Sequence, residues 1–510
     1  MRRARSAGDG WRKVAIRVWQ LVFALTLLTH ALTGAIDYDE DQYVAAGVMA
    51  RHLMLYRDFI YLQSPVYALL LAGLFTLTGG YYLLAARALT GVLAIMIFGL
   101  TFRLVRRYGA GSVLATMLAS IALLSPFLDQ PTATARNDLL PLALFLCGLL
   151  VYLDAAARPR RWAILAGFCI GLAIDAKITY IFMPLVLLLH AAWPGTGRRR
   201  QLVPFAAGLT LAALPGLYYL AMAPTNFLYD LLELHRTASR VWYQRQGVTE
   251  LLGPANRLAT LILLLSWGTN LSLVMLTAGL AVIGRWRRTV AGGLIGLLGL
   301  LIGATLLAGF QPAVSYPMYY AASAPLLAAL AAALYARIAR AGPVPLAVPL
   351  LLTLATLPAL PVLWHRLADL PELTSTSTWP GLEVHRQAAA LHEMIGAAGL
   401  EGEVATLFPI HALDAASVMP EFASGPFFFR TADLLSPARI TALHGAGAET
   451  IESLFARDPP AAILGGFASG QWHDEMDASL DDYARRHSYR PISLEGSSLW
   501  PAGTWLYLRH

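Results

Sequence analysis

Residues 14–41 read VAIRVWQLVFALTLLTHALTGAIDYDED, an apolar run that ends in Asp37, Asp39, Glu40 and Asp41. As a helix, 14–36 is about 34 Å long at 1.5 Å per residue, enough to cross a hydrocarbon core of roughly 30 Å. Arg2, Arg3, Arg5, Arg12 and Lys13 precede it, the bias that keeps an N-terminus cytoplasmic. The run is long for a cleavable signal peptide. It therefore reads as an anchor, although Thr33-Gly34-Ala35 resembles a cleavage site.

Lipid is the expected solvent for most of the 510 residues: 57% are apolar and only 14% charged, against about 25% charged in soluble chains. Further apolar runs fall at 82–104, 112–127, 138–156, 162–176, 178–193, 202–222, 257–283, 289–310, 316–337 and 343–363. Arginine clusters (Arg106/Arg107, Arg158/Arg160/Arg161, Arg198–Arg200, Arg285/Arg287/Arg288, Arg337/Arg340) occupy every second connection. Eleven crossings follow, with the N-terminus inside and residues 365–510 outside. The run 65–79 (PVYALLLAGLFTLTG) is too short and reads as interfacial or re-entrant. Residues 42–57 (QYVAAGVMARHLMLYR) have the apolar spacing of a helix lying on the membrane surface.

The net charge of +7 divides unevenly, with 29 basic and 13 acidic residues in 1–364 and 9 basic and 18 acidic in 365–510. The basic residues sit between apolar runs, where they set orientation, so nucleic-acid binding is excluded as a main function. Cys147 and Cys169 lie inside apolar runs and read as small hydrophobes. Two domains are expected: a transmembrane domain over 1–364 and a small soluble α/β domain over 365–510, joined by a hinge at 371–381. In the latter, helices are expected near 383–398, 447–457 and 474–486, and strands at 403–408 and 461–466 in a parallel sheet. A terminal hairpin is expected in YRPISLEG…GTWLYLRH.

Ten of the thirteen carboxylates in 1–364 fall on the external side, four of them within Asp37–Asp41. Crowded carboxylates raise one another's pKa, which suits one of them to act as a base; a solvated loop that stops the helix would carry the same charges. Asp138 follows Arg136 and Asn137 in a second external loop, where it serves a site or simply caps a helix. Arg136 is the one basic residue of that loop and is expected to meet an anion. Lys177 stands between two half-length apolar runs in a chain with only two lysines. A charge at membrane depth is a functional signal, and a compact cation suits a departing phosphate; pairing with Asp175 or snorkelling would also accommodate it. His235 and Arg236 belong to a loop helix that contacts substrate or is merely solvated, and Tyr316, Tyr319 and Tyr320 line a site or form part of an interfacial aromatic belt. No zinc spacing or phosphate-binding glycine loop is present. Nothing requires a cofactor, and a carboxylate pair leaves room for a divalent cation held through water.

The order of short motifs resembles the GT-C membrane glycosyltransferases, in particular the protein-O-mannosyltransferase and aminoarabinose-transferase-like branch (families 39 and 83). The motifs are Asp39-Glu40-x-x-Tyr43, Arg57-Asp58-Phe59 with Ser64-Pro65 and a run ending Thr78-Gly79, Ala135-Arg136-Asn137-Asp138, Gly171-Leu172-Ala173…Lys177, and Tyr319-Tyr320…Pro325. The resemblance covers about 1–340. It implies a polytopic α-helical GT-C fold and an envelope enzyme of a bacterial inner membrane that inverts a sugar carried on polyprenyl phosphate. The acceptor would be a lipid, glycan or protein hydroxyl. Asp39 would be the base with Asp138 supporting it, and Lys177 with Arg136 would hold the donor phosphate. Glu40, Tyr43, Asp58, His235, Arg236, Tyr319 and Tyr320 would contact substrate. Gln63-Ser64-Pro65 departs from the proline-rich start usual there, which puts one cation contact in doubt. A lipid or polysaccharide translocase is the alternative; transporters often show paired half-repeats, and none is visible here.

Overall fold

The computed structural model describes residues 2–155, 158–287, 293–466, 474–494 and 499–510. Arg288, the first residues of the expected span 289–310, and Glu495-Gly496 of the expected hairpin lie outside them. Among the described residues, five helices are long and apolar enough to cross a membrane: Gly10–Thr33, Tyr82–Arg107, Gly268–Trp286, Gly293–Phe310 and Pro317–Arg340. Two bent pairs bring the number to seven, against the eleven crossings expected. One pair bends by 44° between Ala212 and Leu214 and the other by 43° between Thr356 and Ala359. Pro215 and Pro358 stand at these bends, where a missing N–H and a ring clash interrupt a helix. The other expected spans are shorter helices, among them Ser112–Leu123 and Leu139–Ala155. The run 257–283 is not one helix either. It breaks into Pro254–Leu265 and Gly268–Trp286.

Four helices position the N-terminal acidic cluster: α1 (Arg2–Thr33), α2 (Tyr38–Met49), α3 (Pro65–Thr78) and α4 (Tyr82–Arg107). The expected surface helix over 42–57 is corrected to α2, which starts four residues earlier and ends at Met49. It is not a surface helix: nine of its twelve residues, Glu40 to Gly47 and Met49, are buried. Gly47 makes this packing feasible, since a Cβ there would come within 2.6 Å of Leu71 and 2.7 Å of Phe75 on α3. The residues beyond Met49 that carry Arg57 and Asp58 form turns.

The C-terminal sheet has the order β1-β2-β4-β3, with β1 (Val404–Thr406), β2 (Ala462–Gly465), β3 (Arg490–Ile492) and β4 (Trp505–Leu508). β1 and β2 pair parallel, whereas β4 pairs antiparallel with both β2 and β3. The sheet is therefore mixed, because the terminal hairpin inserts β4 beside β2. The helices Pro380–Ala397, Ile451–Arg457 and Asp474–Arg486 lie where helices are expected.

This segment is docked onto the helices. Asp414 accepts from the backbone N–H of Tyr82 at 2.8 Å and meets His385 Nδ1 at 2.9 Å, and Asp41 of α2 accepts from Ile410 N at 3.1 Å. Burial holds the Asp41 carboxyl well above its ordinary pKa, opposed by the Ile410 bond. Gly425 lies directly on α2: it has φ +62°, and a Cβ there would stand 2.9 Å from Asp41 Cβ and 3.1 Å from Gln42 N. Gly425→Ala is expected to lower stability by about 1–3 kcal/mol through strain and overpacking, read as a lower thermal midpoint of the full chain in detergent.

Candidate active site

Asp37 is the N-cap of α2. Its side chain accepts from Asp39 N at 2.9 Å, and Glu40 reaches back to Asp37 N at 3.0 Å, a reciprocal capping box. Two of the four acids thus start a helix. Glu40 also turns inward, where Arg87 of α4 donates to it through Nε at 2.9 Å and Nη2 at 2.6 Å, and Ala135 N donates at 2.7 Å. Arg87 donates further to the carbonyls of Gly34 and Ala35. One buried ion pair therefore gathers the end of α1, the start of α2 and the loop before Arg136.

Arg136 is the centre of the next layer. Its Nη1 lies 2.8 Å from Asp37 and 2.6 Å from Asp39, and its Nε lies 3.2 Å from Asp138. Asp138 also pairs with Lys177. Lys177 directly follows the helix Arg161–Ala176 in an extended conformation, φ −147° and ψ 116°, which turns its side chain out of the helical path. Asn137 donates to the Ala176 carbonyl and pins this junction beside the loop. Asp175, the neighbouring acid, accepts instead from Gly216 N at 3.0 Å. The cluster of Asp37, Asp39 and Asp138 with Arg136 and Lys177 has one more carboxylate than cation.

The cluster faces a cavity of about 1080 Å³. Asp39, Tyr43, Arg136, Lys177, His235, Arg236 and Tyr319 all line it, and Lys177 Nζ is 5.3 Å from the Tyr319 ring centroid. Asp39 is the more open carboxylate at 27% side-chain exposure, compared with 1% for Asp138. Four expected site residues are not on the wall. Asp138 is enclosed by its two cations, and Glu40 by Arg87 and the Ala135 amide. Asp58 turns to Arg57 at 2.8 Å and Met54 N at 2.7 Å. Tyr320 is fully buried, its hydroxyl 3.1 Å from Ser315 Oγ and its ring 5.6 Å from that of Phe127. His235 Nε2 is 2.8 Å from the Leu62 carbonyl, and burial pushes its pKa below the ordinary value, opposed by that hydrogen bond.

Tyr316 lines the cavity as well, and several wall residues were not singled out from the sequence, among them Gln42, Trp242, Tyr243, Arg257 and Arg430. Arg257 Nη1 donates to the carbonyls of Phe310 and Pro312 at 2.9 and 3.1 Å, while its buried Nε has no partner among the described residues. Arg87, behind the wall, did leave a signal, as an arginine inside the apolar run 82–104 well away from Arg103 and the Arg106/Arg107 cluster at its other end. Arg430 left none. Among the described residues, no three His, Cys, Asp or Glu side chains are grouped to hold a metal ion; at the acidic cluster Arg136 and Lys177 supply the positive charge.

The profile of glycosyltransferase family 87 matches residues 59–308. ArnT from Cupriavidus metallidurans in the apo state is similar in structure, with a TM-score of 0.61 at 15% identity over 98% of this chain and 98% of that one. The same protein bound to undecaprenyl phosphate gives 0.59 at 14% identity, again over 98% of both chains. Arabinofuranosyltransferase AftD from Mycobacteria gives 0.51 at 18% identity, over 96% of this chain and 40% of that one. No curated protein matches the sequence significantly.

Proposed function

We propose that this chain, a multi-pass membrane protein with the fold of the GT-C glycosyltransferases, moves a sugar from a polyprenyl-phosphate carrier to an acceptor hydroxyl with inversion. The observation that carries this reading is that Asp39 and Lys177 line one cavity, joined through Arg136 and Asp138. Undecaprenyl phosphate bound to the structurally similar ArnT supports a carrier of that class.

The chemistry asks little more of the protein. The acceptor oxygen attacks C1 of the sugar while the C1–O bond to the carrier phosphate breaks. The hydroxyl proton passes to Asp39, and the carrier leaves as the phosphate monoester. The sugar passes through an oxocarbenium-like state, and cations aimed at the departing oxygens stabilise charge where it develops. Lys177 and Arg136 fill that role from one side. Because their own carboxylates already outnumber them, Arg257 on the same cavity wall is assigned to assist. Asp138 acts by positioning both cations rather than by touching the acceptor. The apolar wall at Ile178, Ile181 and Phe182 suits the polyprenyl chain. In this reading residues 1–364 are the catalytic part, residues 365–510 face the periplasm, the N-terminus is cytoplasmic, and the reaction needs no further cofactor.

The test is transfer of label from radiolabelled polyprenyl-phosphate sugars to bacterial envelope extracts by the full chain in bilayers. Label remaining on the carrier with every donor and extract would sink the proposal. Lys177→Gln is expected to weaken undecaprenyl-phosphate binding about tenfold, the loss of a charge-assisted hydrogen bond, measured by native mass spectrometry.

A further inference from the structure

The segment Gly425–Thr431 (GPFFFRT) comes from the C-terminal part of the chain, yet Phe427, Arg430 and Thr431 line the same cavity as Asp39. Its approach is fixed at Gly425, whose positive φ and lack of a Cβ bring it against Asp41 and Gln42 of α2. The element carrying Asp39 and the element carrying Arg430 are thus in contact through their backbones. The Arg430 guanidinium carbon lies 5.2 Å from the Trp242 ring centroid and 5.4 Å from that of Phe427, distances at which aromatic faces hold a cation. Burial lowers the Arg430 pKa, and the charge of Asp39 is the strongest influence raising it again. Arginine nevertheless stays charged.

We propose that Arg430 selects acceptors that carry a phosphate or carboxylate beside the hydroxyl that is glycosylated. This rests on the transferase reading above and adds the class of the second substrate. A guanidinium is a flat fork of donors that matches the paired oxygens of either anion. Arg236 and Arg240 on the same wall add to the positive potential, which concentrates anions in a cleft. Trp242, Tyr243 and Tyr316 beside them offer flat faces for the C–H surface of a sugar ring. The polyprenyl chain has its own apolar wall around Ile178, Ile181 and Phe182. Arg430 belongs instead to the charge-rich part of the chain, where a polar acceptor enters from water. The acceptor hydroxyl then sits at Asp39 and its anionic group at Arg430.

The experiment compares a deletion strain carrying wild type, Asp39→Asn, Arg430→Ala or Arg430→Lys, with envelope glycolipids and glycans read by tandem mass spectrometry. The product is the species present with wild type and absent with Asp39→Asn. Its acceptor half is expected to carry an acidic group, with hydrofluoric-acid lability marking phosphate and carbodiimide coupling marking carboxylate. Its yield should fall at least about tenfold in Arg430→Ala and recover in part in Arg430→Lys. The purified Arg430→Ala chain should bind undecaprenyl phosphate as wild type does. A neutral acceptor, undiminished product in Arg430→Ala, or loss of undecaprenyl-phosphate binding in that variant would each overturn the assignment. If wild type and Asp39→Asn strains show the same species, the transferase reading itself falls.

Discussion

Asp39→Asn is expected to lower sugar transfer by about 10²–10⁴-fold, the usual contribution of a positioned general base. Affinity for undecaprenyl phosphate and the thermal midpoint should stay near wild type. The reason is local. Asp39 is partly open to the cavity, and its main polar contacts are Arg136 at 2.6 Å and Gln42 Nε2 at 3.3 Å. An amide keeps the shape and one acceptor oxygen but takes no proton from a hydroxyl. Arg136 retains Asp37 and Asp138, so the cluster survives the loss of one of its three carboxylates. Single-turnover transfer with a saturating labelled donor separates this effect from binding. Transfer at the wild-type rate would remove Asp39 from the role of base and leave the cavity's chemistry without a proton acceptor.

Arg87→Leu is expected to cost about 3–5 kcal/mol, the toll of leaving one member of a buried ion pair without its partner. Arg87 and Glu40 are both 0% exposed. The guanidinium serves Glu40 twice and the Gly34 and Ala35 carbonyls besides. Its removal strands a carboxylate among α1, α2 and α4 and releases the turn that presents Asp39. Glu40→Leu should be similarly harmful, whereas the double variant Arg87→Leu/Glu40→Leu should recover part of the stability, because no unpaired charge remains. The cycle is read from thermal midpoints of the detergent-solubilised chain. Strictly additive losses would mean that the two side chains act independently, contrary to the geometry. The same variants distinguish positioning from stability: a folded double variant with an altered transfer rate and unaltered carrier binding would show that the pair aligns Asp39.

The membrane class and the outline of the candidate site were legible because they depend on quantities that run along the chain. An apolar run followed by acids marks a boundary between solvents, and a lone lysine among arginines stands out for the same reason. The acidic cluster, Arg136 and Lys177 were found this way, whereas Asp39 was singled out within the cluster only by the motif resemblance; the structure brings Asp39, Arg136 and Lys177 to one cavity. Less was legible where one residue type serves two ends. Asp37 and Glu40 looked like further candidate acids, yet they cap a helix and neutralise Arg87. Asp138 read either as a helix cap or as a support for the base, and only the structure shows it enclosed by Arg136 and Lys177. Tyr319 and Tyr320 are adjacent, but only the first faces the cavity, since consecutive residues of a helical turn point in different directions.

Sequence by itself determined that the chain partitions into lipid, where its acids gather, and that residues 365–510 carry their own helices and strands. Those properties follow from local composition and periodicity. The tertiary structure alone decided that α2 is buried, that the C-terminal hairpin makes the sheet mixed, and that Arg257 and Arg430 join the wall of a cavity begun at Asp39. Such contacts link residues up to several hundred positions apart, and their energy comes from burial and charge pairing between elements, which no window along the chain contains.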